Sequence, residues 1–138
     1  MTTSGHGSRK RVFLSFIAED RSRVDGLRLL AANPDYELEF YDESVRAPFD
    51  SKDAEYIKRR IREKIARTSV TVCLISEDTH RSAWVDWELQ VSAVKANTII
   101  AKALKGVERA VLPRLIRDRQ LRFYVWDPQL LGRLIKGA

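Results

Sequence analysis

The sequence predicts an α/β domain with an open, mostly parallel sheet of about five strands and helices on both faces. Segments typical of strands and of helices alternate about five times along the chain, which favours parallel strands joined by helical crossovers. The run Val70–Ser76 is almost entirely apolar, as expected of a central strand that is covered on both faces. The length, 138 residues, suits a single domain of this kind.

Two strands with a helix between them are predicted before residue 42. Val12–Phe16 is rich in β-branched and aromatic residues, and Glu37–Tyr41 alternates polar with apolar side chains, so both segments favour strands. Between them, apolar residues recur at helical spacing until Asn33 and Pro34 end the helix. The residues of this stripe are Val24, Leu27, Leu30 and Ala31.

A loop, Asp42–Asp50, leads to a second helix that Asp50 or Ser51 can cap. Its apolar stripe is formed by Ile57, Ile61 and Ile65. The same helix carries the densest group of positive charges in the chain, Lys58–Lys64, with acidic residues four positions before basic ones. No aromatic residues alternate with these charges to stack bases, so we interpret the face as solvated and expect no nucleic-acid partner.

The second half of the chain continues the alternation. A loop, Glu77–Ala83, leads into a helix that begins near Trp84 and runs through Lys95. Thr98–Ala101 and Leu121–Trp126 have the composition of strands, and Pro113 is expected to open a short helix between them. A last helix is indicated by the apolar stripe Leu130, Leu131, Leu134 and Ile135.

Charge and composition limit the range of functions. The 25 Lys and Arg residues exceed the 19 Asp and Glu residues, a net charge of +6 that favours anionic partners such as nucleotides. No apolar run approaches the roughly 20 residues of a transmembrane helix, so no membrane partner is expected. Residues 1–10 are polar and are expected to form a disordered lead-in to a single domain at 11–138. A single cysteine fits a cytoplasmic protein without disulfides.

Several familiar active sites lack their motifs. The six glycines form neither Gly-x-Gly-x-x-Gly nor a phosphate-binding P-loop, and no Cys/His cluster has the spacing of a metal site. Cys73 lies in mid-strand, where we expect a buried structural thiol, and His80 is interpreted as a polar loop residue. A phosphoacceptor receiver domain is disfavoured because the strongest strand ends in Ser76 and not in an acceptor aspartate.

Ligands of open parallel sheets bind outside the carboxyl ends of the strands, where the strand order reverses. This rule selects the loops 17–21, 42–50 and 76–84 as the walls of a site. Just after the last of them, Trp84 and Glu88 are four residues apart and so project from one face of a helix, one turn apart. We expect both at the mouth of the crevice.

Each residue of this pair has two interpretations. Trp84 can stack a purine or can simply pack under a loop, and Glu88 can act on a substrate or can simply be an exposed carboxylate. The neighbouring stripe of Trp87, Val91 and Val94 is expected in the core.

A single carboxylate beside an aromatic ring is sufficient for one kind of glycosidic chemistry. Glycosidases ordinarily need a second carboxyl group to protonate the leaving oxygen. The nicotinamide of NAD is cationic and leaves as a neutral molecule, so one carboxylate can stabilise the developing ribosyl cation without a general acid. NAD would then be the substrate, and no bound cofactor would be needed.

Six motifs occur in a characteristic order: Arg11–Phe16, Phe40–Asp42, Pro48 with Phe49, Ala54–Thr68, Val70–Ser76, and Trp84-x-x-x-Glu88. Together they resemble bacterial TIR-like domains, and among these the TIR component of Thoeris anti-phage systems, over about residues 10–127. The resemblance implies a flavodoxin-like sheet and cleavage of NAD between nicotinamide and ribose. It further implies a cyclic or rearranged ADP-ribose that acts as a second messenger.

The resemblance also assigns roles by position. Glu88 corresponds to the catalytic glutamate of the family and Trp84 to the tryptophan of its motif. The loops after the first and second strands correspond to segments that line the nucleotide site, here Phe16, Ile17, Asp20, Asp42 and Ser44. The loop 42–50 is more compact and more highly charged than the corresponding loop of many TIR domains. The family's pattern of substrate entry and self-assembly is therefore not carried over to this loop.

Partners follow from the same resemblance. A separate effector protein would respond to the nucleotide product, a phage-derived trigger would start the reaction, and the basic helix would serve TIR–TIR association. Two alternatives stay open: a non-catalytic TIR-type module that works by assembly, and another N-glycosidic enzyme similar to nucleoside deoxyribosyltransferases.

Overall fold

The computed structural model describes residues 10–27, 38–43 and 47–138. Its strands are β1 (Lys10–Ser15), β2 (Leu38–Tyr41), β3 (Val70–Ile75), β4 (Thr98–Ala103) and β5 (Phe123–Tyr124). Its α-helices are α1 (Arg21–Asp25), α2 (Lys52–Ala66), α3 (Ala83–Lys95), α4 (Arg114–Asp118) and α5 (Pro128–Lys136). This order confirms the predicted α/β class.

All five strands pair in parallel, in the order β2-β1-β3-β4-β5. Because β1 lies between β2 and β3, the strand order reverses between β1 and β3. The register aligns Val12 with Val70 and brings Ser15, the last residue of β1, beside Cys73. The gap outside the carboxyl ends of β1 and β3 is therefore the place where a ligand is expected.

Side chains of each strand alternate between two apolar layers. On one face Val12 and Leu14 pack with residues of α1 and α5, among them Val24 and Leu131. On the other face Phe13 packs against α2, while further along the sheet Cys73 and Ile75 pack with residues of α3 and α4. All six residues of β3 are buried, as predicted for a central strand covered on both sides.

The ends of several helices and strands agree only in part with their prediction. Pro113 directly precedes α4, as expected, whereas β5 is shorter than the predicted Leu121–Trp126. Ser51 stands at the N-cap position of α2, but its hydroxyl donates to the carbonyl of Pro48 (2.7 Å) instead of capping the helix. The lead-in 1–9 and residues 28–37, which include the predicted end of the first helix, lie outside the described residues.

The basic face of α2 is not merely solvated, so that interpretation was wrong in part. Arg60 and Lys64 bind the carboxylate of Glu43 at 2.7 and 3.3 Å, and Glu43 is only 3% exposed. The ammonium of Lys58 lies 4.0 Å from the centre of the Phe49 ring. These side chains fasten the loop after β2 to α2, which brings that loop next to the cleft described below.

The prediction that Val94 lies in the core was also wrong, because its side chain is 90% exposed. Val94 borders an apolar groove between α2 and α3, which Ile65 and Ala66 of α2 also line. Among the helices of the described residues, none combines the length and the apolar character needed to cross a membrane.

Candidate active site

A cleft of about 490 Å³ opens outside the carboxyl ends of the strands, between the loops that follow β1 and β3. The described residues that line it are Ile17, Ala18, Glu19, Ala47, Asp78, Arg81, Ser82, Ala83 and Trp84. The volume falls within the roughly 300–1,000 Å³ of small-molecule sites. Its place is the predicted one, where the strand order reverses.

The first turn of α3 builds one wall of this cleft. Ser82 caps the helix by accepting a hydrogen bond from the backbone N–H of Val85 (3.1 Å), which fixes the direction in which α3 leaves the loop. Asp78 and Arg81 line the cleft just before this turn, with 3.9 Å between their charged groups. With Glu19 on the opposite loop, the wall carries charges of both signs.

Trp84 lines the cleft and also closes it on one side. Its indole Nε1–H donates to the carbonyl of Ala47 (2.8 Å), and its ring meets those of Phe49 and Trp87 edge to face, with centroids 5.0 and 6.2 Å away. Only 8% of Trp84 is exposed. Packing under the loop, one of the two interpretations of this residue, is therefore realised, and the ring still borders the cleft.

Glu88 lies one turn further along α3 and is fully buried. Its Oε1 accepts a hydrogen bond from the hydroxyl of Ser15 (2.7 Å), at the end of β1. The described residues that line the cleft do not include Glu88, so the expectation that it stands at the mouth was wrong, as was the alternative of an exposed carboxylate. Helical spacing placed Glu88 one turn from Trp84, but the carboxylate is hydrogen-bonded to Ser15 at the end of β1.

Cys73 lies next to Ser15 in the sheet and is buried, as predicted. Burial, and to a smaller extent the nearby charge of Glu88, raises the pKa of the Cys73 thiol well above its usual value. The thiol therefore stays protonated at neutral pH and is not a nucleophile. The region where β1 and β3 meet α3 therefore holds a buried carboxylate that is hydrogen-bonded to a hydroxyl, beside a neutral thiol.

The loop after β1 was expected to supply Phe16, Ile17 and Asp20. Ile17 does line the cleft. Asp20 instead faces the end of β3, where its carboxylate accepts a hydrogen bond from the hydroxyl of Ser76 (2.5 Å), so that the neighbouring Glu19 lines the cleft. Phe16 turns to the other face of the sheet and packs in the core with α1 and α5, because strand-like alternation continues past Ser15.

The loop after β2 was expected to supply Asp42 and Ser44. Asp42 forms an ion pair with Arg21 (2.9 Å), its side chain is 7% exposed, and it does not line the cleft. Ser44 lies outside the described residues. Ala47, further along the same loop, does reach the cleft and was missed because it carries no chemical signal.

Other groups relevant to the site are Ser15, Arg81 and His80. Ser15 and Arg81 were not predicted, although a lone hydroxyl in the apolar run of β1 and a cation just before a helix start were visible signals. His80, predicted to be a polar loop residue, lies in a 3₁₀ turn, Thr79–Arg81, and its Nδ1 has no hydrogen-bond partner among the described residues. Within the same part of the chain, no group of three or more His, Cys, Asp or Glu side chains is arranged to hold a metal ion.

Comparison with known families identifies this arrangement. The family model for the TIR-like domain of the Thoeris protein ThsB matches residues 13–109, which include the second half of β1, all of β2, β3 and β4, and every described residue that lines the cleft. The chain belongs to this family. The resemblance drawn from the order of the motifs is therefore confirmed, and Trp84 and Glu88 both lie within the matched segment of the ThsB TIR-like domain.

Solved structures agree on the fold of this ThsB TIR-like domain. The TIR domain of the Toll-related receptor TRR-2 from Hydra magnipapillata is 19% identical, with a TM-score of 0.64, over 91% of this chain and 97% of that one. The CMP N-glycosidase BcmB from Clostridium botulinum is 14% identical, with a TM-score of 0.59, over 92% of this chain and 99% of that one. No curated protein sequence matches this chain.

Proposed function

We propose that this ThsB TIR-like domain is an enzyme that cleaves NAD at the bond between nicotinamide and ribose, with Glu88 as its catalytic carboxylate. The observation that carries the proposal is the full burial of Glu88 one helical turn beyond the tryptophan that borders the cleft. Burying a carboxylate costs free energy of folding unless its environment compensates, so a fully buried one next to a cleft favours a chemical role. Membership of the family and the CMP N-glycosidase activity of BcmB, which shares the fold, support N-glycosidic chemistry.

The charges of NAD and Glu88 explain how this bond would be cleaved. When the bond between C1′ of the ribose and the pyridinium nitrogen breaks, its electron pair goes to that nitrogen, and nicotinamide leaves neutral. Positive charge then develops on the ribosyl group, and the anionic carboxylate of Glu88 lowers the energy of that cation electrostatically. Water captures the cation to give ADP-ribose and a proton, whereas attack by a group of the same molecule gives a cyclic isomer.

Access to the carboxylate requires a rearrangement at Trp84. In the structure its indole is fixed by Ala47 and Phe49, and Glu88 has no exposed surface. The ring has to leave this packing before a ribose can contact Glu88, and in its new position it can stack against the substrate. A closed resting site fits an enzyme whose continuous activity would deplete the NAD of a cell.

The biological role is part of the proposal. As a member of the ThsB family, the domain would act in the cytoplasm, respond to a phage-derived trigger and form a cyclic or rearranged ADP-ribose that a separate effector protein recognises. TIR–TIR association is the expected route to opening the site.

A second candidate function is a non-catalytic TIR module that works by assembly. The observation that favours it is the same closure, since Trp84 is packed on three sides and Glu88 is inaccessible. In this case the Ser15–Glu88 hydrogen bond would be a structural contact.

Separate incubations with NAD and with CMP, in buffer and in lysate of phage-infected cells, distinguish the candidates. Mass spectrometry would follow free nicotinamide and free cytosine. Release of nicotinamide alone supports the proposal, and release of cytosine alone replaces it with a nucleotide N-glycosidase. Absence of both products, together with concentration-dependent assembly in light scattering, supports the non-catalytic module.

A further inference from the structure

Ser15 is placed under Glu88 by the sheet itself. It is the last residue of β1, the strand next to β3 in the middle of the sheet, and it is fully buried. Its hydroxyl lies 2.7 Å from Oε1 of Glu88, although 73 positions separate the two residues in the chain. The contact thus joins two elements that the fold brings together, β1 and α3.

The Ser15 hydroxyl is the donor of this hydrogen bond and Oε1 of Glu88 is the acceptor. An ionised carboxylate can only accept, so the contact suits that form of Glu88. Hydrogen bonds to ionised acceptors are stronger than those between neutral groups, and more so where water is excluded. The contact therefore favours the anionic form of Glu88, which is the form that stabilises a ribosyl cation.

Cys73 is the titratable group that faces the same region from β3. Its thiol is neutral at neutral pH and is a weak donor, so it cannot take over the role of the hydroxyl. From α3, the helix that carries Glu88, the nearest buried hydroxyl is that of Ser92, which bonds to Thr71 at 2.7 Å towards the opposite end of the sheet.

We infer that Ser15 is the positioning residue of the reaction, which holds the Glu88 carboxylate anionic and in one orientation behind Trp84. This inference rests on the proposed function, and it assigns to the last residue of β1 a role that neither the cleft lining nor the Trp-x-x-x-Glu motif indicated. Ser15 does not contact the substrate; it acts through Glu88.

The test compares wild type with Ser15→Ala, Ser15→Thr and Ser92→Ala. Ser15→Ala removes the donor, so we expect kcat for NAD to fall about 10- to 100-fold with little change in KM. The acidic limb of the pH profile of kcat should move to higher pH, because the anion loses the hydrogen bond from Ser15. Ser15→Thr keeps a hydroxyl on a side chain suited to a strand and should recover most of the activity.

Ser92→Ala is the matched control, since it also removes a buried hydroxyl that is hydrogen-bonded between α3 and the sheet. It should leave kcat and the pH profile unchanged. An equal loss in Ser92→Ala and Ser15→Ala, or an unchanged pH profile in Ser15→Ala, would show that Ser15 is merely structural and overturn the inference.

A second readout does not depend on turnover. The ¹³C shift of the Glu88 carboxyl group, followed against pH in the substrate-free protein, should have its titration midpoint at higher pH in Ser15→Ala than in wild type. An unchanged midpoint overturns the role of Ser15 even if wild type cleaves NAD. A shifted midpoint in a protein without turnover means that the proposed function has failed while the Ser15 contact acts as described.

Discussion

Lys102 is a lysine in the interior of the protein. It lies on β4 between Leu74 of β3 and Tyr124 of β5, and it is fully buried. Its Nζ has no hydrogen-bond partner among the described residues, and the centre of the Tyr124 ring is 6.0 Å away. We predict that Lys102→Met stabilises the protein, because Met has a similar unbranched length and no polar group to desolvate.

The expected size of the effect follows from the missing partner. A buried polar group without a hydrogen bond costs about 1–3 kcal/mol, so the free energy of unfolding should rise by about that amount. With an unfolding entropy of about 2.1 cal/mol/K per residue, the 138 residues give roughly 290 cal/mol/K, so Tm should rise by about 3–10 °C.

The effect should depend on pH in a defined direction. Burial lowers the pKa of Lys102 below its ordinary value of 10.5, and the charge of Asp127 opposes this shift only in part. The folded protein therefore releases this proton at a lower pH than the unfolded chain does. The part of the penalty that comes from burying the positive charge is fully present below the lowered pKa and disappears as the pH rises towards 10.5.

Urea unfolding at pH 7 and at pH 10 measures both effects, with Lys105→Met as the control because Lys105 is exposed. The advantage of Lys102→Met over wild type should be large at pH 7 and smaller at pH 10, whereas Lys105→Met should change little at either pH. A Lys102→Met protein that is less stable than wild type, or an advantage that is the same at both pH values, would refute the argument.

Two further predictions concern the loop after β2. Phe49→Ala removes the ring that packs against Trp84, so we expect a higher kcat/KM for NAD than in wild type, measured as nicotinamide release. Tyr56→Ala, which removes an exposed aromatic ring, is the control and should match wild type. A kcat/KM in Phe49→Ala that is equal to or lower than that of wild type would contradict the idea that Trp84 closes the site. Glu43→Ala removes the buried carboxylate that binds Arg60 and Lys64. In urea titrations it should lower the free energy of unfolding by about 1–3 kcal/mol. A change below about 0.5 kcal/mol would mean that the contact contributes no more than an ordinary surface residue.

The fold was predictable because its signals are local. The apolar run of β3 and the regular isoleucines of α2 depend only on how strands and helices present their side chains, and these patterns are unambiguous here. The position of the cleft followed as well, since the carboxyl ends of β1 and β3 meet where the strand order reverses.

The details of the site depend on contacts between distant residues, which periodicity does not contain. Helical spacing placed Trp84 and Glu88 on one face, but it could not show that the carboxylate would be buried and bonded to a hydroxyl 73 residues earlier. In the loop after β1, either Glu19 or Asp20 could have faced the cleft. The hydrogen bond between Asp20 and Ser76 decided between them.

Tertiary partners also changed the interpretation of surface features. The charges of α2 were expected to be solvated. The sequence did not reveal their buried partner, because Glu43 lies 17 positions before Arg60 and no helical spacing connects them. Val94 followed an apolar stripe, but whether a stripe is covered depends on the neighbouring helix, and α2 ends at Ala66.

The central claim is that the carboxylate of Glu88 stabilises the ribosyl cation formed from NAD. Its most direct test is chromatography with mass detection of NAD incubated with wild type, Glu88→Gln and Glu63→Gln, after circular dichroism has shown that all three are folded. Glu63 is exposed on α2, so its variant controls for the loss of one negative charge. We expect nicotinamide release by wild type and by Glu63→Gln, and none above background by Glu88→Gln. Undiminished nicotinamide release by folded Glu88→Gln would contradict it.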